Sequence, residues 1–125
     1  MTVLTVDQIL KLHKMMLQST GGADGLRDIG ALESSIYHAF ATFDGKDLYP
    51  SLEEKAARQA YGIIRSHPFT DGNKRVGLLV MLVFLEINGI TLQYSQEELI
   101  DLGFTIASGQ KDDKSIHKWI KDHSL

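Results

Sequence analysis

Nine consecutive residues, His67-Pro68-Phe69-Thr70-Asp71-Gly72-Asn73-Lys74-Arg75, carry side chains suited to phosphate chemistry. The His67 imidazole can take a proton from an alcohol, a role typically contributing about 10² to 10⁴-fold in rate. Asp71, four residues on, suits a hard cation such as magnesium, which binds through one or two carboxylates plus substrate phosphates. Gly72 has no Cβ, so a phosphate oxygen can approach the backbone there, and the amides that follow are the unpaired N–H groups of a helix start. Such a start attracts anions through those amides and through the helix dipole. Asn73 adds a side-chain amide, while Lys74 and Arg75 add charge-assisted bonds. Singly, a histidine before proline is more often a packing or surface residue, and Asp-Gly-Asn is an ordinary turn. Together they point further, because a helix N-terminus disfavours positive side chains unless an anion is present.

The elements that must position this loop are helical. Thr5-x-x-Gln8 has the form of a capping box, followed at helical spacing by Ile9, Leu12, Met16 and Leu17, with Met15-Met16 read as core filling. After the Gly21-Gly22-x-x-Gly25 turn, Leu32, Ile36, Ala39, Phe40 and Phe43 form one apolar stripe, and Asp44-Gly45 ends that second helix. Ser51-x-x-Glu54 opens a third, with Ala57, Ala60, Tyr61 and Ile64 inward, which stops by His67 because a residue before proline is pushed out of the helical region. The fourth begins near Asn73 and runs through Val76, Leu79, Val80, Val83, Phe84 and Ile87 to an Asn88-Gly89 stop. Its apolar girth predicts the central helix of the domain. Ile90 to Tyr94 alternates as a short extended piece, Ser95-x-x-Glu98 opens a fifth helix ending near Gly109, and Ile116, Trp119 and Ile120 predict a last one that closes the core. The expected fold is all-α, a bundle of about six helices with almost no sheet.

Length and composition bound the function. A chain of 125 residues, 43% hydrophobic and without a linker or internal repeat, is expected to form one domain over 1–125. The absence of cysteine removes disulfides and thiolate metal sites, and Met1 to Gln8 lacks the pattern of a signal peptide, so the expected location is cytoplasmic. The longest apolar run, Val76 to Leu85, is far short of the roughly 20 residues of a membrane span. A net charge of −3 gives no general attraction to nucleic acid. His13, His38, His117 and His123 are scattered without zinc-ligand spacing and read as solvated or packing residues. Arg65 has two readings, a cap on its own helix's C-terminus or a ligand of a substrate phosphate.

The nine residues match the signature His-Pro-Phe-x-(Asp/Glu)-Gly-Asn-(Gly/Lys)-Arg, and the chain resembles the Fic/Doc superfamily. The resemblance extends to its short Doc, or death-on-curing, branch through Leu12-His13, the Gly-Gly turn, Leu32-Glu33, Arg65 and Leu85-x-x-Asn88-Gly89. It implies an all-helical fold and a nucleotide-dependent transferase that modifies a hydroxyl on a target protein. By that resemblance His67 is the base, Asp71 the magnesium ligand, Gly72, Asn73 and Lys74 the anion nest, and Arg75 the grip on nucleotide phosphates. Many Fic enzymes that transfer AMP have glycine at the position of Lys74 and a second arginine at the position of Leu78. Both departures resemble the Doc branch, whose members can transfer a terminal phosphate, whereas Pro68 and Gly72 resemble Fic. The expectation is phosphate transfer from ATP with magnesium, with AMP transfer as the alternative.

The self-inhibitory Ser/Thr-x-x-x-Glu-(Gly/Asn) helix of some Fic proteins is not found here. The resemblance therefore implies restraint by a small antitoxin with a segment that folds on binding, and an acceptor such as a translation factor or another abundant cytosolic protein. Readings from other classes are a catalytically silent module that binds nucleotide or antitoxin, and a metal-dependent phosphoester hydrolase.

Overall fold

The computed structural model describes all residues from Met1 to Leu125. Six helices account for nearly all of its regular structure: α1 (Val6–Thr20), α2 (Ile29–Ala39), α3 (Leu52–Ser66), α4 (Asn73–Ile87), α5 (Gln96–Ala107) and α6 (Asp113–Asp122). Three start on complete capping boxes, Thr5 with Gln8, Ser51 with Glu54 and Ser95 with Glu98, in which the hydroxyl and the longer side chain each satisfy an otherwise unpaired amide. Asp28 and Asp112 cap α2 and α6 with a carboxylate oxygen.

The second helix is shorter than its apolar stripe predicts. It ends at Ala39, and Thr42–Phe43 (β1) and Lys46–Asp47 (β2) form an antiparallel hairpin that pairs Thr42 with Asp47 and Phe43 with Lys46. Asp44 and Gly45 both have positive φ, 54° and 76°, the backbone of a two-residue hairpin turn whose twist suits the paired strands. Phe43 is 75% exposed on that hairpin instead of lying in the core stripe. Met15 is likewise corrected: it is 63% exposed, and Met16 alone of the pair fills the core. His13 lies inside, where Leu12 was expected, and Leu12 is only half-buried.

The centre of the fold is shared by two helices. Helix α3 packs on α2, α4, α5 and α6, while α4 packs on α1, α3 and α5. Two glycines allow the close crossings. A Cβ on Gly62 would meet Ser35 of α2 at 2.8 Å, and one on Gly77 of α4 would meet Ile64 of α3 at 2.6 Å. A single apolar cluster including Ile9, Leu32, Ile63, Phe69, Phe84 and Ile116 joins these layers. The extended piece after α4 pairs with the C-terminus, Gln93 donating to the His123 carbonyl and Leu125 to that of Thr91. No helix is long and apolar enough to cross a membrane.

This packing fixes α3 and α4 side by side, so the loop joining them is clamped at both ends by the core.

Candidate active site

Helix α3 ends at His67, which adopts a left-handed backbone (φ 51°, ψ 60°) and donates its N–H to the Ile63 carbonyl. Non-glycine residues rarely occupy this region, so the surroundings must hold it. Pro68 follows, and its carbonyl accepts from the amides of both Arg27 and Asp28, while Thr70 donates to Gly25. The loop is thereby laced to the segment before α2. Phe69 is buried beneath it, stacked on His13 with ring centroids 3.9 Å apart.

Asn73, the first residue of α4, holds the loop from inside. Its side-chain oxygen accepts from the Phe69 amide at 3.0 Å and its nitrogen donates to the Phe69 carbonyl at 2.9 Å. The expected contribution of this amide to anion binding is therefore replaced by a structural one, with only its backbone N–H left toward the helix start. The same nitrogen lies 3.4 Å from His67 Nδ1, which places the exposed imidazole against the opening residue of α4.

Asp71 and Gly72 form the turn into α4. Asp71 Oδ1 accepts from the Gly72 amide at 2.8 Å and Oδ2 from Ala23 at 3.1 Å. The Ala23 bond first, then the Gly72 bond, hold its carboxyl below the usual range, and Arg75 and His13 add to this electrostatically. Gly72 is left-handed (φ 79°), and a Cβ there would meet Met16 Cε at 2.7 Å. No side chain caps α4, and the amides of Asn73, Lys74 and Arg75 have no acceptor in the protein. The other five helices all start under a capping side chain. Three unpaired amides and a positive dipole end thus open α4, and the side chain of its first residue lies next to the His67 ring.

The cations are arranged differently from one another. Lys74 is exposed and makes no ion pair. Arg75 turns back onto the end of α1, donating to the Thr20 hydroxyl and to the Gly21 carbonyl at 3.0 Å, with Nη2 3.9 Å from Asp71 Oδ1. Arg65 does not join them. It donates to the Ala107 carbonyl at 3.0 Å and so caps α5 and not its own helix.

A family model described as the Fic/DOC family matches residues 3–85, about two thirds of the chain, and that span contains the whole loop. The chain belongs to the Fic/Doc family. Within it the chain resembles the Doc branch. It is 40% identical over 72 residues to the toxin Doc of Mycolicibacterium smegmatis, covering 58% of this chain and 55% of that protein. It is 30% identical over 107 residues to the protein kinase doc of Escherichia phage P1, covering 86% of this chain and 83% of that one. Helices α5 and α6 lie beyond the matched Fic/DOC span, and α5 builds the far side of the groove described below.

Two residues of this Fic/Doc site escape sequence reading. His13 is 1% exposed and its Nε2 donates to the Asp71 carbonyl at 2.8 Å. The two faces of a trans peptide point oppositely, so fixing that carbonyl turns the Gly72 N–H toward the Asp71 carboxylate. The usable signal was its spacing from Ile9, Met16 and Leu17, since a histidine on a core stripe needs a polar partner. Arg27 donates from Nε to the His67 carbonyl at 2.9 Å and from Nη2 to the Ser66 carbonyl at 3.1 Å and again to that of His67. Nothing in the sequence around Arg27 distinguishes it from a solvated arginine.

Proposed function

We propose that this chain is a toxin-type protein transferase that moves the terminal phosphate of ATP to a hydroxyl of a target protein. The observation that carries the reading is the uncapped start of α4, with three free amides on the helix whose first side chain, Asn73, lies 3.4 Å from the His67 imidazole. The name of the phage relative, a protein kinase matched over most of its length, supports phosphate as the group transferred.

His67 takes the acceptor's hydroxyl proton on Nε2, which makes no hydrogen bond within the protein, and this requires the ring proton to sit on Nδ1. In that tautomer the long contact with Asn73 is released. The acceptor oxygen forms a bond to the γ-phosphorus, the bond from that phosphorus to the β–γ bridging oxygen breaks, and ADP leaves. The amides of Asn73 to Arg75 and the Lys74 ammonium stabilise the phosphate charge. Arg75 joins them by releasing Thr20 or by using donors left free on its guanidinium.

Magnesium fits this donor set on one condition. No three His or acidic side chains gather anywhere in the chain, so an ion held by Asp71 must take its other ligands from nucleotide phosphates and water. The Asp71 carboxylate is suited to this: it is ionised, about half exposed, and has lone pairs beyond the two its backbone donors use. Such an ion would neutralise phosphate charge.

A groove of about 540 Å³ runs from Lys74 and Arg75 along α4 and α5, floored by Leu78, Leu82, Leu99 and Phe104. Its apolar floor and basic end suit an antitoxin segment that folds against it as a helix. AMP transfer is the second reading. It uses the same base and amides, and the Fic-like Pro68 and Gly72 favour it.

The test uses purified protein with magnesium and ATP labelled separately on the α- and γ-phosphate, incubated with a cell extract. Protein label from the γ position, lost in His67→Ala, is expected. Label only from the α position would replace phosphorylation by AMP transfer. Free phosphate without labelled protein would indicate hydrolysis, and binding without turnover a silent module.

A further inference from the structure

We infer that Arg27 is a positioning residue that sets the aim of the His67 imidazole, and that the segment from Ala23 to Arg27 braces the base and the carboxylate at a fixed separation. His67 is solvent-exposed, so core packing does not orient its ring. Its left-handed backbone is unfavourable for a residue with a Cβ and persists only where neighbours over-determine it. Two restraints act on that backbone. Its N–H is tied to Ile63 within α3, and its carbonyl is held by the Arg27 guanidinium through Nε at 2.9 Å and through Nη2. Nη2 reaches the Ser66 carbonyl as well, so the planar fork spans the last two carbonyls of the turn. Releasing the His67 carbonyl lets ψ of His67 relax out of the left-handed region; because the Pro68 ring fixes its own φ, the motion falls on His67, and Cβ and the ring move with it.

The backbone of the same segment completes the brace. The Arg27 amide donates to Pro68, the Gly25 carbonyl accepts from Thr70, and the Ala23 amide holds Asp71 Oδ2. A Cβ on Gly25 would meet the Thr70 hydroxyl at 2.7 Å, so this lacing depends on glycine there. Base and carboxylate, four residues apart in the loop, are therefore referenced to one five-residue segment that the nine-residue signature does not include.

The catalytic part of this inference rests on the transferase reading, and the ring-orientation part does not. The test compares wild type with Arg27→Ala and Arg27→Lys. Lysine keeps the positive charge at the end of α3 but offers a point donor in place of a fork, which separates orientation from helix-dipole stabilisation. Two quantities are measured: kcat and KM for ATP, and the NMR signals of the His67 imidazole, assigned by their loss in His67→Gln. Arg27→Lys is expected to lower kcat by roughly 10-fold with KM changed by less than about 2-fold, given that a misplacement of about 1 Å can cost 10²-fold. Its His67 signals double or broaden while those of His13 stay sharp. Arg27→Ala shows the same pattern more strongly, and should it fail to fold, the lysine variant decides alone. Wild-type kcat together with a single unchanged set of His67 signals would overturn the inference. Should the wild-type protein itself transfer nothing, the transferase reading falls while the imidazole signals still decide whether Arg27 aims the ring.

Discussion

Replacing Gly22 by alanine should damage the site from outside the signature, by an amount the geometry bounds. Gly22 has φ +123°, and a Cβ built on it lies 2.7 Å from Asp71 Oδ2, 2.9 Å from Leu17 Cδ2 and 3.1 Å from Arg75 Nη2. The backbone conformation alone costs an L-residue on the order of 1–3 kcal/mol. At ~3–5 °C per kcal/mol for a domain of this size, melting should fall by roughly 3–15 °C. The contacts add a second effect. The carboxylate must retreat by about half an ångström, which strains its bond from Ala23, and misplacement on that scale costs about 10-fold in rate when a full ångström costs 10²-fold. Gly45→Ala supplies the control. Its φ is +76° but nothing lies within 4 Å of the new methyl, and it sits in the hairpin turn away from the loop. Thermal melts and γ-phosphate transfer should show both variants destabilised, Gly22→Ala the more, but reduced transfer only for Gly22→Ala. A Gly22→Ala protein with unchanged melting and transfer would refute the reasoning.

Two further predictions concern stability. Lys55 is 3% exposed and its ammonium is held by Asp47 Oδ2 at 3.1 Å and by the Tyr49 carbonyl, anchoring the hairpin to α3. Asp47→Ala leaves a buried cation short of a partner and should cost about 1–3 kcal/mol, below the usual range for a buried pair because Asp47 is half exposed. Lys55→Met should cost less, since Asp47 can hydrate, and urea unfolding of the two variants checks that order. His123 Nε2 meets Glu98 Oε2 at 2.6 Å. This bond raises the His123 pKa above its ordinary 6.5 and lowers that of Glu98 from 4.5 to about 2. The histidine contribution is full below pH 6.5 and is lost as pH rises through the raised value, whereas the glutamate contribution is full above pH 4.5 and is lost toward pH 2. The stability difference between wild type and His123→Gln should therefore peak between pH 4.5 and 6.5, and urea unfolding across pH reads it; a pH-independent difference would contradict the pairing.

What could be read in the chain was local. Three capping boxes and the stop at Asn88-Gly89 are decided by side chains three or four residues from the amides and carbonyls they serve, and each was legible. The place of the candidate loop was legible for a similar reason, because His67, Asp71 and Gly72 fall within one turn and a helix start. The second helix was overrun because Phe43 continues the i, i+4 stripe, and only the left-handed pair Asp44-Gly45 reveals a hairpin turn instead of a helix end. Residues whose partners are distant in sequence were missed or left open. His13 bonds to a carbonyl 58 positions away, Arg27 to one 40 away and Arg65 to one 42 away. Asn73 shows the opposite case. Its partner is only four residues off, yet an amide side chain beside an expected anion site gives no sign of whether it faces the ligand or the loop.

The central claim is that the first amides of α4 receive nucleotide phosphate beside the His67 ring. Titrating isotopically labelled protein with magnesium and ATP while following backbone amide resonances addresses this without any acceptor protein. The account predicts that the largest shifts fall on Asn73, Lys74 and Arg75, accompanied by the His67 imidazole. Saturable shifts confined to other surfaces, with those three amides unmoved, would contradict it.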